Sequence, residues 1–309
     1  MRFASTLIVL AVLGASPPLQ QPQIEPRPGR LLIDAVVTDT HGMPVLDVRP
    51  SELEVWIVGY RIPIETLTIV QPTAGVPTRR SMVLLLDDIH IDNAAILRAR
   101  EAARQFVNAL LPDDRAAVVT LSGTSMEPTT DRARLLQRVD AYAPRAWAVE
   151  RLDTMGAHVL ETISALSRSL ASPIGERKAI VAIGPSGLFD TPVPPPNAGG
   201  DLRREWTDAM RAMAASNVAL YVIDPAGVGG SRTTGSESGF ARETGGLAFV
   251  NTNGMKEVAD RILREAGTYY VIDIADPPMG RQMDLRALDV KVLRHGITVR
   301  ARRAVPGTR

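Results

Sequence analysis

The sequence predicts an α/β fold, a doubly wound and mostly parallel sheet. A small antiparallel β domain, built from the segments on either side, accompanies it. Three observations predict this. Residues 82–86 (MVLLL) and 179–183 (AIVAI) are continuous apolar runs, the pattern of strands buried on both faces. Between such runs lie stretches with apolar residues on one helical stripe, such as Ile96, Ala99, Ala103, Phe106 and Leu110. The flanking segments instead alternate with a period of two, as half-buried antiparallel strands do.

In chain order, residues 3–13 (FASTLIVLAVL) form an apolar run after Arg2, with small residues Gly14, Ala15 and Ser16 behind it. That is the arrangement of an export signal. The alternative is a buried terminal strand or helix. The run is too short to cross a bilayer, which takes about 20 residues. Residues 17–29 are Pro- and Gln-rich and read as an extended linker. Leu31, Ile33, Ala35 and Val37 mark a strand, Leu53, Val55 and Ile57 a second, and Ile62 to Ile69 a third region. A further linker spans 71–80.

Strands are then expected at 82–86, 116–122, 179–183, 218–223 and 247–250. Helices are expected from Ile96 to Leu110, over about 131–142, along Val159–Leu170, along Leu202–Met213 and along Met255–Ala266. The chain returns to β structure at Tyr269–Ile274. Leu288, Val290 and Val292, a turn at Arg294-His295-Gly296, and Ile297, Val299 and Ala301 read as a hairpin. A lone hairpin is marginal in water, so the two β regions are expected to pack together with the α/β unit inserted between them. The divisions are a signal (1–16), a linker (17–29), an N-terminal β segment (30–76), the α/β unit (77–267) and a C-terminal β segment (268–305).

Composition narrows the function. Hydrophobic residues at 45% and charged residues at 22% allow a sizeable core within 309 residues. A net charge of +1, with basic residues scattered among acids, excludes the basic patch of a nucleic-acid binder. With no cysteine there are no disulfides, thiolate metal sites or thiol nucleophiles. Gly184-Pro185-Ser186-Gly187 lacks the spacing of a hydrolase nucleophile turn. The stretch 226–239 (AGVGGSRTTGSESG) lacks the spacing of a phosphate loop and reads as a surface loop. The prolines at 192–196 read as a rigid spacer, and Trp147 and Trp206 as packing residues. Of the four histidines, His41 and His295 sit in turns and His158 lies off its helix's apolar stripe, toward solvent. Only His90 falls at the sheet's C-terminal edge, where open α/β folds place ligands.

Three stretches together resemble the von Willebrand factor A-related proteins of the acidobacterial type. They are VVTDTHGMPVLDVRPSELEVWIVGYRIPI (36–64), SMVLLLDDIHI (81–91) and ARETGGLAFVNTNGMKEVADRILREAGTYYVIDI (241–274), the last followed by VKVLRHGITVRAR (290–302). The resemblance spans nearly all of the chain after the signal. It implies a protein-binding domain with a metal-ion-dependent adhesion site of hard oxygens around Mg²⁺. On that pattern Asp87 is the first ligand, Ile89 and Ile91 stand in the serine positions, Thr154 matches the threonine and Ser186 replaces the final aspartate. The chain departs at three of five positions.

A shifted set of Asp87, Asp88, His90 and Asp92 offers an alternative cation site, since alternate residues of an extended segment face one side. Against it, Asp92-Asn93 can cap the following helix, with Asp87 and Asp88 as polar residues above the sheet edge. The ligand count favours no resident metal over Mg²⁺ or another divalent cation. The expectation is therefore an exported, periplasmic or extracellular, non-catalytic adhesion or interaction module. It has a degenerate metal site, a protein partner and no membrane span in the mature chain. The alternatives are a metal-independent structural or assembly protein of the cell envelope and, last, a hydrolase.

Overall fold

The computed structural model describes residues 27–72, 80–145, 152–170, 177–190, 194, 200–229, 239–277 and 285–306. The expected signal at 1–16, the linkers at 17–26 and 73–79, Trp147, most of the prolines at 192–196 and residues 230–238 lie outside them.

The chain opens with β1 (Arg30–Asp39), β2 (Leu53–Ile57), β3 (Tyr60–Ile62) and β4 (Ile64–Val70). There follow β5 (Arg80–Leu86), α1 (Asn93–Ala109), β6 (Arg115–Thr120), α2 (Arg132–Asp140), α3 (Leu152–Ser169), β7 (Arg177–Ile183) and α4 (Ser186–Phe189). Next come α5 (Gly200–Ser216), β8 (Val218–Ile223), α6 (Phe240–Glu243), β9 (Leu247–Phe249) and α7 (Met255–Gly267). The chain closes with β10 (Tyr269–Ala275), β11 (Leu285–Val292), β12 (Ile297–Ala301) and β13 (Ala304–Pro306).

Five parallel strands form the central sheet in the order β6-β5-β7-β8-β9. The apolar runs put side chains on both faces. Met82, Leu84 and Leu86 meet α1, α2 and α7, while Val83 and Leu85 meet α3 and α5. Both faces are therefore covered, as a parallel sheet requires. Helix α1 starts where the Asp92 carboxylate accepts the Ala95 N–H at 2.6 Å and stops before Pro112. Strand order reverses between β5 and β7, so a crevice opens beyond their carboxyl ends.

The remaining eight strands make two antiparallel sheets, β12-β1-β10-β4 and β13-β11-β2-β3. Ile33, Ala35, Val37, Tyr270 and Ile272 of the first share one core with Leu53, Val55, Ile57 and Leu288 of the second. This is the small antiparallel domain made from both flanking segments. Val70 pairs with Tyr269, so the chain leaves for the α/β unit and returns from it on neighbouring strands.

One expectation is corrected here. The strands at 288–292 and 297–301 do not form a hairpin: β11 pairs with β2 and β13, and β12 pairs with β1 in the opposite sheet. Alternation shows that each strand has one buried face but not which neighbour it pairs with. The link at 293–296 is tethered by Arg294, which donates to Glu52 at 2.7 and 2.6 Å and to Asp47 at 2.7 Å. Arg294 holds the Glu52 carboxyl down at about 2 and the Asp47 carboxyl below the usual aspartate range.

The outer face of the β12-β1-β10-β4 sheet packs on the amino-terminal end of the parallel sheet. Arg300 of β12 passes its guanidinium to Glu265 of α7 at 2.5 Å and to the Gly246 carbonyl at 3.1 Å. Glu265 is fully buried and also accepts from Arg261 at 3.0 Å and from the Tyr221 hydroxyl at 3.3 Å. Gly246 lies so close to β8 that an added Cβ would sit 1.7 Å from the Leu220 carbonyl oxygen, so only glycine fits.

Glu265→Ala leaves Arg300 buried beside an empty site and is expected to lower unfolding free energy by about 3–5 kcal/mol, measured by urea denaturation. The Glu52 carboxyl titrates at about 2 in the fold against an ordinary 4.5, so its contribution is complete above about pH 4.5 and is lost as pH falls toward 2. Arg294→Gln is expected to flatten this acid limb in a plot of thermal midpoint against pH.

Candidate functional site

The crevice at the switch point is built from residues that follow the parallel strands. Asp87 follows β5, Gly184 and Ser186 follow β7, Asp224 follows β8 and Ser122 lies just beyond β6. The middles of these strands are apolar and buried, and the polar residues named stand at or just past their carboxyl ends.

Asp87 has no solvent exposure. Its backbone N–H extends the β7 ladder to the Ile183 carbonyl at 3.0 Å. Its Oδ1 accepts from the Ile89 and His90 N–H groups at 3.0 and 2.8 Å, which folds the loop back over the carboxylate. Its Oδ2 has no hydrogen-bond partner. His90 is buried beside it, with Nδ1 3.3 Å from Asp87 Oδ1 and no hydrogen bond of its own. Gly184 forms the facing wall, and an added Cβ there would lie 2.6 Å from the Phe189 ring and 2.8 Å from Asp87 Cβ.

The neighbouring groups are engaged elsewhere. Asp88 turns toward β6, where it accepts the Ser122 N–H at 2.9 Å and hydroxyl at 2.6 Å. The Ser186 N–H and hydroxyl donate to Asp224 Oδ2 at 3.1 and 2.7 Å. Asp224 Oδ1 accepts from the Ala226 N–H at 2.9 Å. The Tyr142 hydroxyl donates to the Asp87 carbonyl at 2.5 Å. Burial first, and then the Asp87 and Asp88 charges, push the Tyr142 phenol far above its usual value. Burial also raises the Asp190 carboxyl, although Asp190 accepts the Ala241 N–H at 2.8 Å.

Of the six residues singled out in the sequence, the structure brings Asp87 and His90 together. Asp88 points to Ser122, Ser186 is held by Asp224, and Asp92 is exposed and caps α1. The alternation of Asp88, His90 and Asp92 therefore does not gather them, because the segment is a turn folded over Asp87 and not an extended strand. Thr154 lies in α3, and its side chain is outside the described residues. Among the described residues no three His, Asp or Glu side chains converge in the manner of a metal cage. Among the described residues of the crevice, Asp87 Oδ2 is a buried carboxylate oxygen without a hydrogen-bond partner.

Asp224 was missed in the sequence, although it follows an apolar strand just as Asp87 does. His158 is not solvated as expected: it is half-buried, with Nε2 3.3 Å from the Leu121 carbonyl. Trp206 is a packing residue, edge-on to Phe240 at 5.7 Å.

No protein-family model matches the chain, and no curated protein matches it. Solved structures similar to it include an aerotolerance-related membrane protein from Bacteroides fragilis, at 16% identity and a TM-score of 0.41 over 60% of this chain and 98% of that one. A human COPII-coat protein is 8% identical, with a TM-score of 0.36 over 75% of this chain and 44% of the other. Three N-terminal domains of the type V pili tip protein Mfa5 from Porphyromonas gingivalis are 17% identical, with a TM-score of 0.28 over 56% of this chain and 29% of theirs. Likeness this distant carries no functional argument, and the fold rests on the strand order and core described above. Among the described residues no helix is long and apolar enough to cross a membrane.

The packing around Gly184 yields a direct test. Gly184→Ala forces its methyl group against Phe189 and Asp87, both fully buried, and is expected to cost about 1–3 kcal/mol in chemical denaturation.

Proposed function

We propose that the chain is an exported, non-catalytic binding module whose protein partner meets the loop edge beyond β5 and β7. The observation that carries this reading is the unpaired Oδ2 of Asp87, shut from water at the topological switch point. A buried carboxylate oxygen without a partner is costly, and a cation or a donor from a partner would satisfy it. Open α/β sheets bind their ligands at this place. The export signal read at residues 1–16 supports a location outside the cytoplasm. The Ser186 hydroxyl donates to the Asp224 carboxylate, which supports binding over hydrolysis.

A second reading is a metal-independent structural or assembly protein of the envelope. It is favoured by the internal bonding of Asp88, Asp92 and Ser186, which leaves few oxygens free for a cation.

The thermal midpoint of the mature protein in Mg²⁺, Mn²⁺, Ca²⁺ or EDTA, beside Asp87→Ala, separates the two. A cation at 100 times its dissociation constant stabilises by about 2.7 kcal/mol if it binds only the folded chain. A cation-specific rise that Asp87→Ala abolishes is expected for a cation-bridged contact. Equal midpoints in all four conditions sink the bridge and leave the metal-independent reading.

A further inference from the structure

Strand β4 forms one edge of the β12-β1-β10-β4 sheet. It pairs with β10 from Val70↔Tyr269 to Ile64↔Ile274, and among the described residues no strand lies along its other side. No further backbone hydrogen bond to Ile64–Val70 is formed among the described residues either. The turn Pro50–Glu52 approaches β4 without bonding to its backbone. An edge strand turns alternate N–H and C=O groups outward, so β4 presents a row of them over about 23 Å.

Proteins usually blunt such an edge with short strands, basic residues, prolines or a covering segment. The other edges of this protein follow that rule. β3 has three residues and carries Arg61, β13 has three and ends at Pro306, and β9 has three. β6 is bridged through Ala116 to Thr129, and β12 carries Arg300. β4 is the longest of the edge strands, at seven residues, and holds no proline, lysine or arginine. Its single charge, Glu65, is bonded to Arg30 of β1. The strand IETLTIV is also close to its own complement in antiparallel pairing. About a two-fold axis at Leu67, Thr66 stands opposite the partner's Thr68, Glu65 opposite the partner's Ile69 and Ile64 opposite the partner's Val70. Threonine pairs and β-branched pairs directly across two strands are favourable, and no charge meets a like charge. Val70 leads into the α/β unit, so this arrangement sends the two α/β units toward opposite ends of the joined sheet.

We propose that β4 is a dimerisation edge, which pairs antiparallel with β4 of a second copy of this chain and joins the two sheets into one. The contact is isologous, so it closes at two copies and uses up this edge in both. Pairing along one strand is small beside a standard interface of about 1,600 Å², so the dimer is weak and forms in the micromolar range or above. The surface belongs to the β domain, and the Asp87 crevice takes no part in it.

The test is sedimentation equilibrium of the mature protein at concentrations up to about 1 mM, where a monomer–dimer equilibrium is expected. Thr66 is exposed and Thr68 half-buried, so both positions accept longer side chains. Thr66→Lys with Thr68→Lys sets lysine opposite lysine twice across the axis and is expected to raise the dissociation constant about tenfold or more. Thr66→Lys with Thr68→Glu differs from it at one position, sets lysine opposite glutamate twice, and is expected to stay within about threefold of the parent. Thermal transitions of the dilute variants check that both monomers fold. A parent that stays monomeric throughout, a double-lysine variant that associates like the parent, or a folded lysine–glutamate variant that is as dissociated as the double-lysine one would each overturn the edge.

Discussion

The arrangement of this molecule depends on a buried ion pair, Arg300 with Glu265, at the seam between its two parts. Neither the outer face of the β12-β1-β10-β4 sheet nor the amino-terminal end of the parallel sheet is a plain apolar surface. The apolar contribution of the β domain at this face is a small cluster of Val36, Tyr269 and Val271. Charged groups do much of the joining, and each needs its partner in place because water is excluded. Arg300 also binds the Gly246 carbonyl, so the pair fixes the loop before β9 as well as helix α7. Such a seam is specific in geometry: a small shift of either part separates charges that water cannot reach.

The same physics operates at the other end of the sheet with the opposite result. Asp87 is as deeply buried as Glu265, yet one of its oxygens faces no donor. The β5–β7 reversal leaves this corner without a crossover helix lying directly over it. The loop 88–91 folds back instead, and its backbone N–H groups satisfy only one side of the carboxylate. The carboxylates of Glu265 and Asp87 thus differ in how completely burial is matched by bonding.

Much of the fold was legible because burial on two faces leaves continuous apolar runs. The strands at 82–86 and 179–183 and helix α1 with its Asp92 cap follow from residue type and spacing alone. The pairing of β11 and β12 was not legible, since alternation records a buried face and says nothing of the neighbour. Short elements such as α4 and β13 hold too few residues to show a period. At the site, Asp87 stands out because it ends an apolar run. Asp224 carries the same mark and was passed over. The separation of Asp88 from His90 could not be read, because it depends on a turn stabilised by the Asp87 carboxylate itself.

The pairing of Val70 with Tyr269 has a consequence for how the chain folds as it is made. Strands β1 to β4 emerge first, but β10, the partner of β1 and β4, emerges only after the roughly 200 residues of the α/β unit, a delay of about 10–40 s at ordinary synthesis rates. Through that interval β1 lacks both of its neighbours, β10 and β12. The inserted unit has local contacts and can close its own core in that time, which brings its two ends side by side and presents β10 to the waiting strands. Folding order is thereby written into the connectivity: the middle of the chain comes first, and the unpaired edges of the amino-terminal strands must be shielded until then.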